Sequence, residues 1–220
     1  MKVAVVRFPG ANCEQDAFHA LSDDLGVKAS YVWHEETNLS GYDAVFLPGG
    51  FTYGDYLRVG AIASRAPVMR EVMRMAHEGY PIIGACNGFQ ILCEAGILPG
   101  ALLQNEGHKF VCKTVAITAV SKKSMWTKGV QGTLHIPIAH AGGCYFCDNE
   151  VLAALHDNDQ IAFKYAAGHN ANGSIDDIAG ITNVRGNVIG LMPHPERATR
   201  ESLGSADGLQ ILRALTLVSV

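Results

Sequence analysis

Pro81-Ile82-Ile83-Gly84-Ala85-Cys86-Asn87-Gly88-Phe89-Gln90 decides how the chain is read, because a short apolar run passes directly into a cysteine bracketed by glycines. Ile82 and Ile83 suit a buried strand, while Phe89, Ile91 and Leu92 fit the first turns of a helix, which predicts a strand-to-helix corner at Cys86. Gly84 and Gly88 have the spacing of a G-x-S-x-G nucleophile elbow, with sulfur in place of oxygen. Such a corner lifts the side chain above the end of the sheet and turns main-chain N–H groups toward a carbonyl under attack. It also sets the thiol at a helix N-terminus, which favours thiolate. A buried cysteine beside a plain turn would carry the same local pattern, so the remaining sequence has to separate the two.

Upstream, residues 2–7 read as a strand ending at Phe8-Pro9-Gly10, and residues 14–25 as a helix carrying Ala17, Phe18, Leu21 and Leu25, ended by Gly26. Strands follow at 29–33 and 42–47, the second closing on Pro48-Gly49-Gly50, and a helix at 68–77 ends at Gly79. This alternation predicts an α/β fold with an open, mostly parallel sheet and helices on both faces. After Pro99-Gly100 the pattern changes: 110–120, 134–139 and 161–165 read as strands with few helices between them, and 178–183 with 187–192 as a hairpin around Arg185-Gly186. A smaller mixed or antiparallel extension is expected there, then a closing helix over 209–218. With no repeat or linker, residues 1–220 read as one domain.

A net charge of -4 without a long Lys/Arg run argues against nucleic acid or an anionic membrane as partner. No apolar stretch approaches the roughly 20 residues of a membrane span, and the amino-terminal run is too short for a secretory segment, so a cytoplasmic protein with reduced thiols is expected. Cys13, Cys93 and Cys112 read as core or loop residues. His135, His140, Cys144 and Cys147 gather zinc-ligand types, but Cys144-x-x-Cys147 lacks a second matched pair and Tyr145 and Phe146 suit a strand; no metal is expected.

A free thiol has a pKa of about 8.5, so Cys86 needs a base. Met192-Pro193-His194-Pro195-Glu196 offers one. Prolines on both sides push His194 toward an extended conformation, in which residues i and i+2 share a face, so Glu196 is expected to meet the ring edge that Cys86 does not use. Gly49-Gly50 supplies a second strand end where main-chain N–H groups could approach a ligand, although a plain turn has the same composition.

Pro48-Gly49-Gly50, Gly84-x-Cys86-x-Gly88-x-Gln90 and His194-x-Glu196 occur in the order found in the class I, or triad, glutamine amidotransferases, a family with a flavodoxin-like α/β fold that the chain resembles. Phe8-Pro9-Gly10-x-Asn12-Cys13, the run from Leu47 to Arg58, Cys86 to Leu92, Met192 to Arg197 and Leu203 to Gly208 are similar to the small glutaminase subunits of phosphoribosylformylglycinamidine synthases. The resemblance implies Cys86 as nucleophile, His194 and Glu196 as its partners, main-chain N–H groups of Gly50 and Asn87 as an oxyanion hole, and Gln90, Gly49 and Gly143 around glutamine. It implies no cofactor in this chain, since ATP and Mg would sit on a separate synthetase subunit, joined by a small bridging subunit. Tyr53, Asp55 and Arg58 would face that partner. The product would be ammonia for the ATP-dependent conversion of formylglycinamide ribonucleotide to formylglycinamidine ribonucleotide in de novo purine biosynthesis. One departure stands out: after Ala139-His140 the family pattern is Gly-Glu-Gly, whereas this chain has Ala141-Gly142-Gly143, which puts glutamine affinity or coupling to the partner in doubt. A stand-alone γ-glutamyl hydrolase and a non-catalytic interaction subunit remain alternative readings; the cysteine-elbow stress proteins leave His194-Pro195-Glu196 and Gln90 unexplained.

Overall fold

The computed structural model describes residues 1–217. Five strands form the parallel half of a nine-stranded sheet: β1 (Lys2–Arg7), β2 (Lys28–Trp33), β3 (Ala44–Leu47), β4 (Ile82–Ala85) and β11 (Val188–Leu191). The order is β2-β1-β3-β4-β11-β10-β9-β6-β7, where β6 (Val111–Ala119), β7 (Thr133–His140), β9 (Ile161–Tyr165) and β10 (Ile178–Thr182) are antiparallel. The expected antiparallel extension continues the main sheet through the β10–β11 hairpin. A second sheet pairs β5 (Ala101–Leu103) with β8 (Cys144–Phe146).

Strands buried on both faces need cover on both, and alternate residues build two cores. Val6, Val45, Leu47 and Ile82 point toward α2 (Val68–Glu78) and α3 (Asn87–Glu94), where Met69, Val72, Phe89 and Ile91 close the packing. Val5, Phe46, Ile83 and Ile189 point the other way, toward α1 (Glu14–His19), Trp126 and α5 (Gly208–Leu212). α1 runs on as a π-helical turn, Ala20–Asp24, and α5 as a 3-10 turn, Arg213–Thr216; the expected end of the closing helix at residue 218 lies outside the described residues.

Helix α4 (Asn149–Asp157) and strand β5 have no counterpart in the sequence reading. α4 buries only Leu155, so its apolar stripe is faint. Its readable signal was Asp148, whose side chain accepts the Val151 N–H as an N-cap at 2.8 Å.

The elbow glycines work by contact. A Cβ on Gly84 would lie 2.6 Å from the Gly88 carbonyl oxygen, and one on Gly88 would lie 2.0 Å from the carbonyl oxygen of Leu47 in β3. The first turn of α3 thus rests directly on the backbones of β4 and β3. Gly88→Ala should destabilise the chain by roughly 3 kcal/mol, as overpacking against an immobile backbone does, whereas Gly107→Ala, with open space around it, should change stability by less than about 0.5 kcal/mol. Urea unfolding midpoints of the two variants measure the difference.

Candidate active site

β4 ends at Cys86, the N-cap of α3, whose φ of 52° and ψ of -108° are a sparsely populated conformation for any residue with a side chain. The corner is pinned on both sides. Cys86 N–H donates to the Leu191 carbonyl at 2.8 Å, and the Cys86 carbonyl accepts from Phe89 N–H at 3.0 Å and Gln90 N–H at 3.2 Å. The thiol is buried and directed at the Ala139 carbonyl, 3.9 Å away. Ala139 belongs to β7, although four strands lie between β7 and β4 in the sheet order. The antiparallel half therefore curls back over the ends of β4 and β11.

The same edge strand holds the histidine: His194 N–H donates to the Pro137 carbonyl at 2.9 Å. Pro137 has no N–H of its own, which an edge strand tolerates. The expected extended His-Pro-Glu segment is not what forms. His194 has φ -100° and ψ 88°, and Pro195 opens a 3-10 turn, Pro195–Arg197, because its fixed φ suits a first helical position. That turn, and not strand alternation, carries Glu196 Oε1 to 2.7 Å from His194 Nδ1. Both residues are buried, and His194 Nε2 and Glu196 Oε2 have no partner among the described residues.

Burial alone would lower the His194 pKa, but the negative charge of Glu196, and after it that of Cys86, outweighs burial and raises it well above its ordinary value. Gly49 makes room for the ring, since a Cβ there would sit 2.6 Å from His194 Cε1. Beside it stands Cys13, buried and expected from the sequence only as a core or loop residue. Cys13 Sγ, a His194 ring nitrogen and a Glu196 oxygen lie within 4.8 Å of one another. Among the described residues this is the one grouping of three metal-ligating side chains. The carboxylate–imidazole hydrogen bond already accounts for two of its members. The signal for Cys13 was its place in Phe8-Pro9-Gly10-x-Asn12-Cys13, next to the Gly49 loop: Cys13 N–H donates to the Gly49 carbonyl at 3.3 Å. A cavity of about 160 Å³ opens between Asn12, Cys13, Gly50, Phe51 and His194.

The zinc-type set is scattered. His135 Nδ1 faces Asp207 at 3.6 Å, Cys144 Sγ points at the Gly173 carbonyl at 3.1 Å, Cys147 is core, and His140 Nδ1 meets Asn105 Oδ1 at 3.0 Å. Burial first, and the His194 charge second, lower the His140 pKa to about 4, so its imidazole is neutral.

Neither Gly50 nor Asn87 donates its main-chain N–H to a described residue, and Gly50 holds φ 140°. Gly143 differs: its N–H donates to Asn105 Oδ1 at 2.9 Å and its carbonyl accepts from Asn172 Nδ2 at 2.8 Å. Gln90 is also occupied, accepting from Asn87 Nδ2 at 2.8 Å and donating through Nε2 to the Gly142 carbonyl. Beyond Gly50 the chain makes a tight turn, Thr52–Asp55, in which Tyr53 and Gly54 hold left-handed φ values of 53° and 68°. Tyr53 Oη meets His34 Nδ1 at 3.0 Å, Asp55 keeps a buried Oδ1 without a partner among the described residues, and burial raises its pKa. Arg58 forms a two-pronged pair with Glu94 at the end of α3, at 2.9 and 2.7 Å.

The raised His194 pKa has a consequence for stability. An unfolded histidine loses its proton near about pH 6.5, whereas the folded one keeps it to higher pH. Its stabilising contribution is complete below about pH 6.5 and is lost as pH rises through the folded value. Wild type should therefore lose more unfolding free energy between pH 6 and pH 8 than Glu196→Gln, in which the charge holding the proton is gone; parallel pH dependences in urea unfolding would contradict this.

The CobB/CobQ-like glutamine amidotransferase domain matches residues 1–218. A chain in the structure of PurLQS from Thermotoga maritima is 41% identical, with 98% of this chain and 97% of that chain covered, at a TM-score of 0.89. A glutamine amidotransferase from the same organism shares the fold at 16% identity and a TM-score of 0.56, with 97% of this chain and 90% of that one covered. A family match over nearly the whole length, on a chain that folds Cys86 into an elbow and pairs His194 with Glu196, means that the chain belongs to the CobB/CobQ-like glutamine amidotransferases.

Proposed function

We propose that this chain, as a single domain, is the glutaminase subunit of a phosphoribosylformylglycinamidine synthase, working in the cytoplasm and supplying ammonia to a separate synthetase subunit. The observation that carries the reading is the 41% identity, over nearly the full length of both chains, with a chain of Thermotoga PurLQS. ATP and Mg belong to the synthetase, and a small bridging subunit joins the two.

Cys86 Sγ attacks the side-chain carboxamide carbon of glutamine, and the N–H groups of Gly50 and Asn87 receive the developing oxyanion; removing one such donor typically costs roughly 10²–10³ in rate. His194, held by Glu196, transfers its proton to the leaving nitrogen as the C–N bond breaks, which releases ammonia and leaves a γ-glutamyl thioester. Water then attacks the thioester while His194 takes its proton. The C–S bond breaks, glutamate leaves, and the proton returns to the Cys86–His194 pair. Gln90, Gly49 and Gly143 surround the amino-acid end of the substrate. The unpartnered Nε2 of His194 supports this assignment, because that nitrogen must be free to exchange a proton with substrate.

Cys86→Ser in the reconstituted complex should abolish glutamine-dependent amidination of formylglycinamide ribonucleotide and leave the ammonia-dependent reaction intact; loss of both would mean a structural role. Tyr53, Asp55 and Arg58 are assigned to the synthetase interface. Arg58→Glu should weaken co-elution with the synthetase, whereas Glu94→Gln, which breaks only the internal pair, should not; unaltered complex formation by Arg58→Glu removes the assignment.

A further inference from the structure

Two buried amides join loops that the sequence treats separately. Thr52 N–H donates to Asn87 Oδ1 at 3.3 Å, Asn87 Nδ2 donates to Gln90 Oε1 at 2.8 Å, and Gln90 Nε2 donates to the Gly142 carbonyl. Thr52, Asn87 and Gln90 are all buried. Each amide has one accepting and one donating end, so the two termini of the path fix every orientation along it. The Thr52 donor demands an oxygen, and the Gly142 acceptor demands an NH2. Displacing one terminus leaves a buried acceptor unpaired unless the others move with it.

The Thr52 terminus belongs to the segment best placed to be displaced. Tyr53, Asp55 and Leu57 have positive φ values of 53°, 57° and 63°, a conformation that costs energy in residues other than glycine. Tyr56 and Leu57 present their side chains to solvent at 75% and 85% exposure. The Gly142 terminus lies where the family pattern has glutamate, and here its main-chain carbonyl accepts from the Gln90 amide.

We propose that the Asn87 side chain is a positioning residue that couples the 51–58 loop to the glutamine pocket. Docking of the synthetase on that loop, which rests on the function proposed above, withdraws the Thr52 N–H from Asn87. Asn87 then turns, and Gln90 leaves the Gly142 carbonyl to donate to the carboxylate end of glutamine. In the free chain the same path holds Gln90 away from substrate.

The test compares KM for glutamine in glutaminase assays of the free chain and of the complex reconstituted with the synthetase and bridging subunits. Wild-type KM should fall by about tenfold or more on assembly, within the usual range of coupling between sites. In Asn87→Ala the ratio of free to assembled KM should approach unity. Thr52→Pro removes the donating N–H together with the buried hydroxyl and should collapse the ratio in the same way with Asn87 intact, whereas Thr52→Ala, which removes the hydroxyl alone, should preserve it. A wild-type ratio of one, or Asn87→Ala and Thr52→Pro variants that lose activity equally in both states with the ratio preserved, overturns the coupling. A wild-type chain that does not co-elute with the synthetase overturns the functional reading, and the coupling with it.

Discussion

The backbone of Cys86 is held at φ 52° and ψ -108° because every way of relaxing it is blocked. Leu191 in β11 takes its N–H, and two amides of α3 take its carbonyl. Gly84, Gly88 and the Leu47 carbonyl close the space on either side, so the helix can neither lift from the sheet nor slide along it. Strain of this kind persists only where the surroundings over-determine it. Here the surroundings are the middle of the nine-stranded sheet, with β3 and β11 flanking β4.

What the parallel half fixes, the antiparallel half completes. β7 spends its outer edge on the site: the Pro137 carbonyl accepts from His194 and the Ala139 carbonyl faces the Cys86 thiol. An edge strand ordinarily needs protection, and these contacts provide it while orienting two reactive side chains. The His194–Glu196 pair is buried, where either member alone would be an uncompensated charge, so the imidazole and carboxylate are held as a unit.

Local pattern located the elbow, the strand runs, the bounding glycines and the His-x-Glu spacing, because each depends on neighbours within a few residues. It misjudged features whose cause is distant or weak. The Pro-bracketed segment read as extended, yet Pro195 begins a turn once the Pro137 carbonyl anchors His194 N–H. Cys13 reads only as a core or loop residue because its proximity to His194 depends on two loops, at the ends of β1 and β3, meeting a third after β11. α4 was missed because a helix burying one side chain leaves almost no periodic signal.

The sequence by itself determined an α/β chain with a cysteine at a glycine-lined corner, a histidine and a glutamate two residues apart, and the family those motifs mark. These are properties of residue type and short spacing, written directly in the chain. Only the tertiary structure decided that the antiparallel strands curl back to the elbow and that a 3-10 turn brings Glu196 to the ring. It alone decided that Asn87 and Gln90 spend their amides on Thr52 and Gly142. Those outcomes come from buried polar groups seeking partners dozens of residues away, a requirement that no window of sequence expresses.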